Sequence, residues 1–248
     1  MRVSRIYTSA SLENVESITL DRETSHYVVR VLRLRRGHPL VLFNGDGDEY
    51  DAVMEHADGT HALILVGRRQ ATERESPLRI HLGQGVSRGE RMDLVLQKSV
   101  ELGITSVTPL WTRRAQSRLT GERLEKRMAH WRGIIRSGCE QSGRAVLPEL
   151  HPVTRLSQWL AGPDCQHQQA QQNVVLDPRA TVHLRDLDPA SRVNVLIGPE
   201  GGLDDEELQQ AASHGFQRIQ LGPRILRTET AALAVLAALQ TLWGDLAA

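Results

Sequence analysis

The sequence predicts a small β-barrel-like domain followed by a larger α/β domain built on a mostly parallel sheet. Three features predict it. Hairpin signals crowd the first 70 residues, a polar stretch at 68–77 ends in Pro77, and apolar runs then alternate with helical patterns.

In the first domain, "PLVLFNGDGDEYDAVMEHADGTHALILVG" reads as three apolar strands. They are split at Asn44-Gly45-Asp46-Gly47 and at Asp58-Gly59, pairs that favour tight turns. Ahead of them, "SHYVVRVLRLRRG" reads as a short helical stretch closed by Gly37 and carrying Arg30, Arg33, Arg35 and Arg36. In the second domain, strands are expected at 78–84, 104–111, 172–177, 193–198 and 217–221. Helices are expected at 88–102, 120–140, 204–214 and 228–243. Ser87 and Glu90 have the spacing of a capping box for the helix from 88, and Gly103 supplies its left-handed stop. Thr228 or Thr230 is expected to cap the last helix. That helix is apolar on nearly every side, so it must be covered all round, by the core or by a second subunit. The polar run "QHQQAQQ" at 166–172 reads as a loop.

Composition excludes several classes. The 248 residues carry 30 basic and 30 acidic side chains, so net charge points to no partner. Its distribution does. Residues 79–144 hold thirteen Arg and Lys against six Asp and Glu, whereas residues from 145 onward hold seven against twelve. A basic stretch of this kind fits a nucleic-acid face. Aromatic residues are only 4%, too few for a groove of many stacked bases. Cys139 and Cys165 stand alone, without metal spacing or a disulfide framework, which points to a reducing cytoplasm. "MRVSRIYTSASLENVES" has no apolar core of a signal peptide, and the run "AALAVLAAL" is too short to span a membrane.

The chemistry concentrates in "NVLIGPEGGLDDEEL", where a strand breaks at Gly198-Pro199-Glu200-Gly201-Gly202 and restarts as a helix. A phosphate does not suit this turn. Pro199 removes an amide donor, Glu200 adds a carboxylate, and Asp204, Asp205, Glu206 and Glu207 already compensate the helix dipole. What remains is a backbone cradle for a neutral or cationic ligand. "LGPRILRTETA" gives a second Gly-Pro loop after the next strand, with Arg227 and Glu229 at its junction with the helix. Loops on neighbouring strand ends can enclose one pocket. Gly85-Val86-Ser87-Arg88-Gly89 matches a nucleophile elbow, but no His-Gly-Gly oxyanion sequence accompanies it, so a cap is preferred to a serine nucleophile.

"LIGPEGG" followed by "LGPRILRTETA" resembles the cofactor signature of SPOUT-superfamily RNA methyltransferases. With "HYVVRVLRL", "RMDLVLQKSVELGI" and "CEQSGR", the chain resembles over nearly its whole length the bacterial small-subunit ribosomal RNA uridine-N3 methyltransferases, the RsmE family. The resemblance implies a PUA-like RNA-binding β-barrel domain at 1–72 and a trefoil-knotted α/β methyltransferase domain at 73–248. It implies S-adenosylmethionine as cofactor and a homodimer with its active site at the subunit interface. The expected partner is ribosomal RNA within a small-subunit particle, and no metal is expected. The cofactor-binding residues it implies are Leu176, Ile197, Gly198, Pro199, Glu200, Gly201, Gly202, Leu221, Gly222, Pro223, Leu226 and Arg227. The family often has Glu-Arg where this chain has Arg113-Arg114.

Methyl transfer to N3 requires the imide proton to leave. Glu229 is the candidate acceptor; Arg227, Arg114 and Arg88 are candidates to stabilise the uridine anion. RNA contact is expected from Arg5, Arg30, Arg33, Arg35, Arg113 and Arg114. The alternative from another class is a non-catalytic RNA-binding or ribosome-assembly factor of the same fold.

Overall fold

A computed structural model describes residues 3–58, 61–115, 119–166 and 170–247. Its internal contacts divide the chain into two units, Met1–Glu75 with Cys139–Leu147, and Ser76–Gly138 with Pro148–Ala248.

The first unit is a five-stranded sheet in the order β1-β3-β4-β5-β2, with β1 Ser4–Tyr7, β2 Ser17–Thr19, β3 Pro39–Phe43, β4 Asp48–Ala57 and β5 Ala62–Ala71. β1 runs parallel to β3; the other pairings are antiparallel. The β3–β4 turn forms as its residues dictate. Gly45 and Gly47 take φ of 94° and 104°, Asp46 N–H donates to Asn44 Oδ1, and Asp48 N–H donates to Asp46 Oδ1. Asp58 Oδ1 accepts from His61 N–H at the next turn, whose Gly59 lies outside the described residues. Period-two burial sends Ile6, Ile18, Leu40, Leu42, Met54 and Ile64 from all five strands into one core. The stretch expected to be helical up to Gly37 is helical only to Val31. Helix α1, Arg22–His26, capped by Asp21 through Thr24 N–H, runs on as a π-helical turn over Tyr27–Val31 that holds Arg30, and Arg33, Arg35 and Arg36 follow it outside the helix. Arg30, Arg33 and Arg35 are exposed.

Sequence patterning does not place Cys139–Leu147 in this unit. Its polar anchors do. Tyr7 N–H donates to Glu140 Oε1, Arg74 Nη1 donates to Gly143 O, and the buried Arg144 pairs with Glu75. Arg5 belongs to the same set, which corrects the expectation that it contacts RNA. Its side chain is only 9% exposed, it pairs with Glu49, donates to Arg144 O and lies over the Phe43 ring.

The second unit is a seven-stranded parallel sheet in the order β12-β10-β11-β6-β7-β8, with β9 also on β7. The strands are β6 Arg79–Gly85, β7 Ser106–Trp111, β8 Glu149–Leu150, β9 Thr154–Arg155, β10 Gln171–Leu176, β11 Arg192–Ile197 and β12 Gln217–Ile219. β6 and β11 are buried along nearly all their length, as central strands covered on both faces must be. The helices are α2 Glu90–Glu101, α3 Gly121–Ser142, α4 Leu156–Leu160, α5 Asp205–Ser213 and α6 Thr228–Trp243. The run expected at 166–172 holds residues 167–169, which lie outside the described residues, and its end opens β10.

Two expected caps are absent. α2 starts at Glu90 behind Gly89 at φ 55°, with no side-chain cap, and Ser87 Oγ donates instead to Gly85 O at 3.3 Å. α6 starts behind Arg227, and Thr228 Oγ1 donates out of the helix to Gly198 O. The capping box of α5 does form, between Asp204 and Glu207. Within one chain α6 buries only one stripe, Ala232, Val235, Leu236 and Leu239, while Leu242 is 50% exposed. Among the described residues no helix is long and apolar enough to cross a membrane.

Candidate functional site

β10, β11 and β12 are neighbours in the sheet, and the segments leaving their C-terminal ends line one cavity of about 700 Å³. An open α/β sheet places its ligands at these ends. Three segments supply most of the wall: Leu176–Arg179, Ile197–Leu203, and Leu221 through Ala231 with Pro223 and Thr230 left out. Leu176, Ile197, Leu221 and Leu226 give an apolar lining; Asp177, Asp205 and Glu229 bring carboxylates to it.

The Gly198–Gly202 segment is a tight turn, with Gly202 N–H donating to Pro199 O at 2.8 Å and Gly202 at φ 69°. A Cβ on Gly198 would lie 2.8 Å from both Gly202 C and Leu203 N, so only glycine allows the loop to fold on itself there. Gly85 at the end of β6 is as constrained, since a Cβ would stand 2.4 Å from Pro199 N.

Side chains from outside the loop hold it. Buried Gln84 donates through Nε2 to Gly85 O at 3.0 Å and Thr228 Oγ1 at 3.0 Å, while Thr228 Oγ1 donates to Gly198 O at 2.7 Å. Glu200 accepts from Arg88 N–H at 2.8 Å and Arg91 Nη1 at 2.9 Å. Burial would raise the Glu200 carboxyl, but these donors outweigh it and hold the group below the usual range. Arg114 Nη1 donates to Gly201 O at 2.8 Å. Asp177, with a side chain 2% exposed, pairs with Arg179 and Arg218. Burial pushes its carboxyl up, while the Arg179 backbone N–H and the Arg218 guanidinium pull it further down, below the ordinary value.

Of the residues expected to bind a cofactor, all but Pro223 lie on this wall. Glu200 does so with its carboxylate committed to α2. Of those expected to act in catalysis, Arg227, Glu229 and Arg114 are on the wall. Arg88 is not: its side chain is exposed, and only its backbone N–H meets the loop. Glu229 Oε2 is buried without a hydrogen-bond partner. Arg113 is held by Asp204 and Glu206, and its backbone N–H donates to Glu207. Sequence reasoning missed Gln84, Arg91, Asp177 and Arg179. Asp177 ends and Arg179 follows the strand predicted at 172–177, so the rule that places ligands at strand ends also pointed to them.

The cavity fits a nucleoside bearing a cation. Its cradle is main chain, its lining includes Leu176, Ile197, Leu221 and Leu226, and one carboxylate oxygen on its wall lacks a partner.

The family profile described as an RNA methyltransferase domain matches residues 74–240, and the one described as an RNA methyltransferase PUA domain matches residues 20–66. The chain is 35% identical over 247 residues to the ribosomal RNA small subunit methyltransferase E of Buchnera aphidicola from Schizaphis graminum, covering 99% of this chain and 98% of that protein. The Bacillus subtilis protein of the same name is 27% identical over 94% of this chain and 93% of its own. Among solved structures, a methyltransferase from Legionella pneumophila in complex with S-adenosylmethionine superposes with a TM-score of 0.93. It is 40% identical over 99% of this chain and 100% of that one. The ribosomal RNA small subunit methyltransferase E of Neisseria gonorrhoeae, bound to the same molecule, gives a TM-score of 0.90 at 36% identity, with coverage of 99% and 100%.

Proposed function

The chain belongs to the RNA methyltransferase family, PUA domain included, and from this we propose that it methylates N3 of a uridine in small-subunit ribosomal RNA with S-adenosylmethionine as donor. The observation that carries the reading is the glycine cradle at 198–202, closed against Gly85 and Thr228, in a chain similar from end to end to two structures that hold S-adenosylmethionine.

When bound, S-adenosylmethionine supplies an electrophilic methyl group on a sulfonium. Leu176, Ile197, Leu221 and Leu226 would hold its adenine, and main-chain groups of Gly198–Gly202 would read the nucleoside. On this wall the Glu229 Oε2 oxygen, without a hydrogen-bond partner, is the carboxylate atom open to a cation. Arg227 and Arg114 would stabilise the uridine as its imide proton leaves, and Glu229 Oε2, buried with no donor of its own, is the acceptor we assign to that proton. Holding both reactants in line is worth at most about 7–11 kcal/mol of the barrier.

The proposal extends to the N-terminal unit as the RNA-binding one, with exposed Arg30, Arg33 and Arg35 as its phosphate contacts. It extends to a trefoil knot, as the family resemblance implies, and to a homodimer, supported by the half-exposed outer side of α6 and by Ile225, 86% exposed beside the cavity. A small-subunit particle in the cytoplasm is the proposed setting, and no metal takes part in the reaction.

Incubating the protein with labelled S-adenosylmethionine and small-subunit particles from a deletion strain should place one methyl group on N3 of one uridine. Specific RNA binding without methyl incorporation would instead establish an assembly factor of the same fold. Under single turnover with chemistry limiting, the rate should rise with pH between about 6 and 8.5. Glu229→Gln should lower the rate and alter that profile, whereas Arg227→Ala should lower its height alone. A Glu229→Gln enzyme with normal rate and profile removes Glu229 as the acceptor.

A further inference from the structure

Away from the cavity, the fold gathers three side chains that the sequence keeps far apart. His81 on β6, His151 just after β8 and Asp164 in the short 3-10 turn Pro163–Cys165 bring one ligand atom each to within 4.8 Å of one another. We propose that His81, His151 and Asp164 form a structural site for one divalent transition-metal ion of the zinc class, independent of the cofactor site.

Two imidazoles and a carboxylate are donors such ions take, with water filling the fourth position. Both rings already have a polar neighbour that orients them. His81 Nε2 is 2.8 Å from Thr108 Oγ1, and His151 Nδ1 is 3.4 Å from Glu149 Oε1, which leaves the other nitrogen of each ring for the ion. The carboxylates of Asp164 and Glu149 would balance the charge of a divalent cation.

The ring of His81 is fixed further by its tilted contact with His151, at 5.1 Å between centroids, and by the edge contact with Trp159 at 5.6 Å.

Asp164 is positioned as deliberately. Its carbonyl accepts from Asn194 Nδ2 at 2.6 Å and Gln171 Nε2 at 3.1 Å, and the next carbonyl, of Cys165, accepts from Asn173 Nδ2 at 2.9 Å. Amides from β10 and β11 thus pin the turn to the sheet while the exposed Asp164 side chain stays free to rotate. Metal bonds of about 2.0–2.2 Å put ligands roughly 3.4 Å apart, so that rotation is the movement closure needs.

The role is that of a staple. The segment from β8 to Cys165 has only two-residue strands and one short helix, and an ion would tie both its ends to β6. His81 lies four residues before Gly85, roughly 13 Å along the strand from the cradle, so the ion would not touch the reacting groups.

The test uses the full chain, stripped with a chelator and titrated with Co²⁺ under visible absorbance, with Zn²⁺ uptake by equilibrium dialysis. One ion per chain should bind, with ligand-field bands of low coordination number, and Zn²⁺ should raise the melting temperature. His151→Ala and Asp164→Ala should each lower affinity roughly tenfold or more and abolish the bands, while calorimetric S-adenosylmethionine affinity is unchanged. His81→Ala is the riskier variant, since it empties a buried position, so the two less buried ligands carry the test. The absence of saturable uptake by wild-type protein, or equal uptake by both variants, overturns the proposal.

Discussion

Gly198→Ala tests the cradle most directly. The added Cβ would lie 2.8 Å from Gly202 C and Leu203 N, and ordinary contact begins near 3.4 Å, so 3.4 less 2.8 leaves 0.6 Å to be found. Both opposing atoms are backbone, and no rotamer change can relieve them. The loop must open, against the Gly202–Pro199 turn bond at 2.8 Å and the Thr228 hydroxyl at 2.7 Å. Overpacking of this kind costs about 1–3 kcal/mol. Placed on the bound state, that is roughly a 5- to 150-fold loss of affinity, at about 1.4 kcal/mol per decade. Calorimetry with S-adenosylmethionine reads it. Gly133→Ala is the matched control, because it lies within α3 and nothing stands within 4 Å of the new methyl. That variant should keep its affinity and gain about 0.5–1 kcal/mol of stability from helix propensity. A folded Gly198→Ala protein that binds S-adenosylmethionine within twofold of wild type would refute the assignment of this loop to the ligand.

Thr228→Val should destabilise the chain by about 1–3 kcal/mol in urea, since it leaves the buried Gln84 amide and Gly198 carbonyl short of a partner; an unchanged midpoint would make that network dispensable. Asp177 has a folded value below the ordinary one, so its share of stability is present above the ordinary carboxylate range and is lost as pH falls through the folded value. Asp177→Asn should therefore flatten the acid limb of the stability curve, and an acid limb as steep as wild type would contradict the pairing with Arg179 and Arg218. Arg30→Ala should reduce the slope of log affinity for RNA against log salt by roughly 0.7–0.9 if it contacts one phosphate. Arg33→Gly should do the same while raising the melting temperature, because Arg33 sits at φ 56°, where glycine is unstrained. Slopes unchanged in both would show these arginines to be solvated surface.

The parts of the fold legible from sequence are those whose signal is local and long. Apolar runs place β6 and β11, Asn44 to Gly47 place a hairpin turn, and Asp204 with Glu207 places the start of α5. β8, β9 and α4 were not legible, because a two-residue strand has no periodicity and α4 is only five residues long. Nor was the transfer of Cys139–Leu147 to the N-terminal unit, which rests on Glu140, Gly143 and Arg144 meeting partners more than sixty positions away. Arg5 was misread for the same reason: a guanidinium near the chain start looks solvated until Glu49 and the Arg144 carbonyl are brought to it.

The misread caps share one cause. Ser87 and Thr228 have the residue type and spacing of N-caps, and Glu200 looks like a carboxylate free to face a ligand. In the fold, Ser87 Oγ turns to Gly85 O, Thr228 Oγ1 to Gly198 O, and Glu200 to the Arg88 N–H. Each departure leads to the Gly198–Gly202 turn or to the end of β6 that packs on it. Local preference worth about 1 kcal/mol at each helix start is thus given up where the same groups can fix the loop from β6, α2 and α6. A loop held from three directions before any ligand arrives has little ordering left to lose, and preorganisation of that kind converts directly into affinity. The rules of local structure therefore fail in this chain where the Gly198–Gly202 turn is built, and the failures mark which side chains build it.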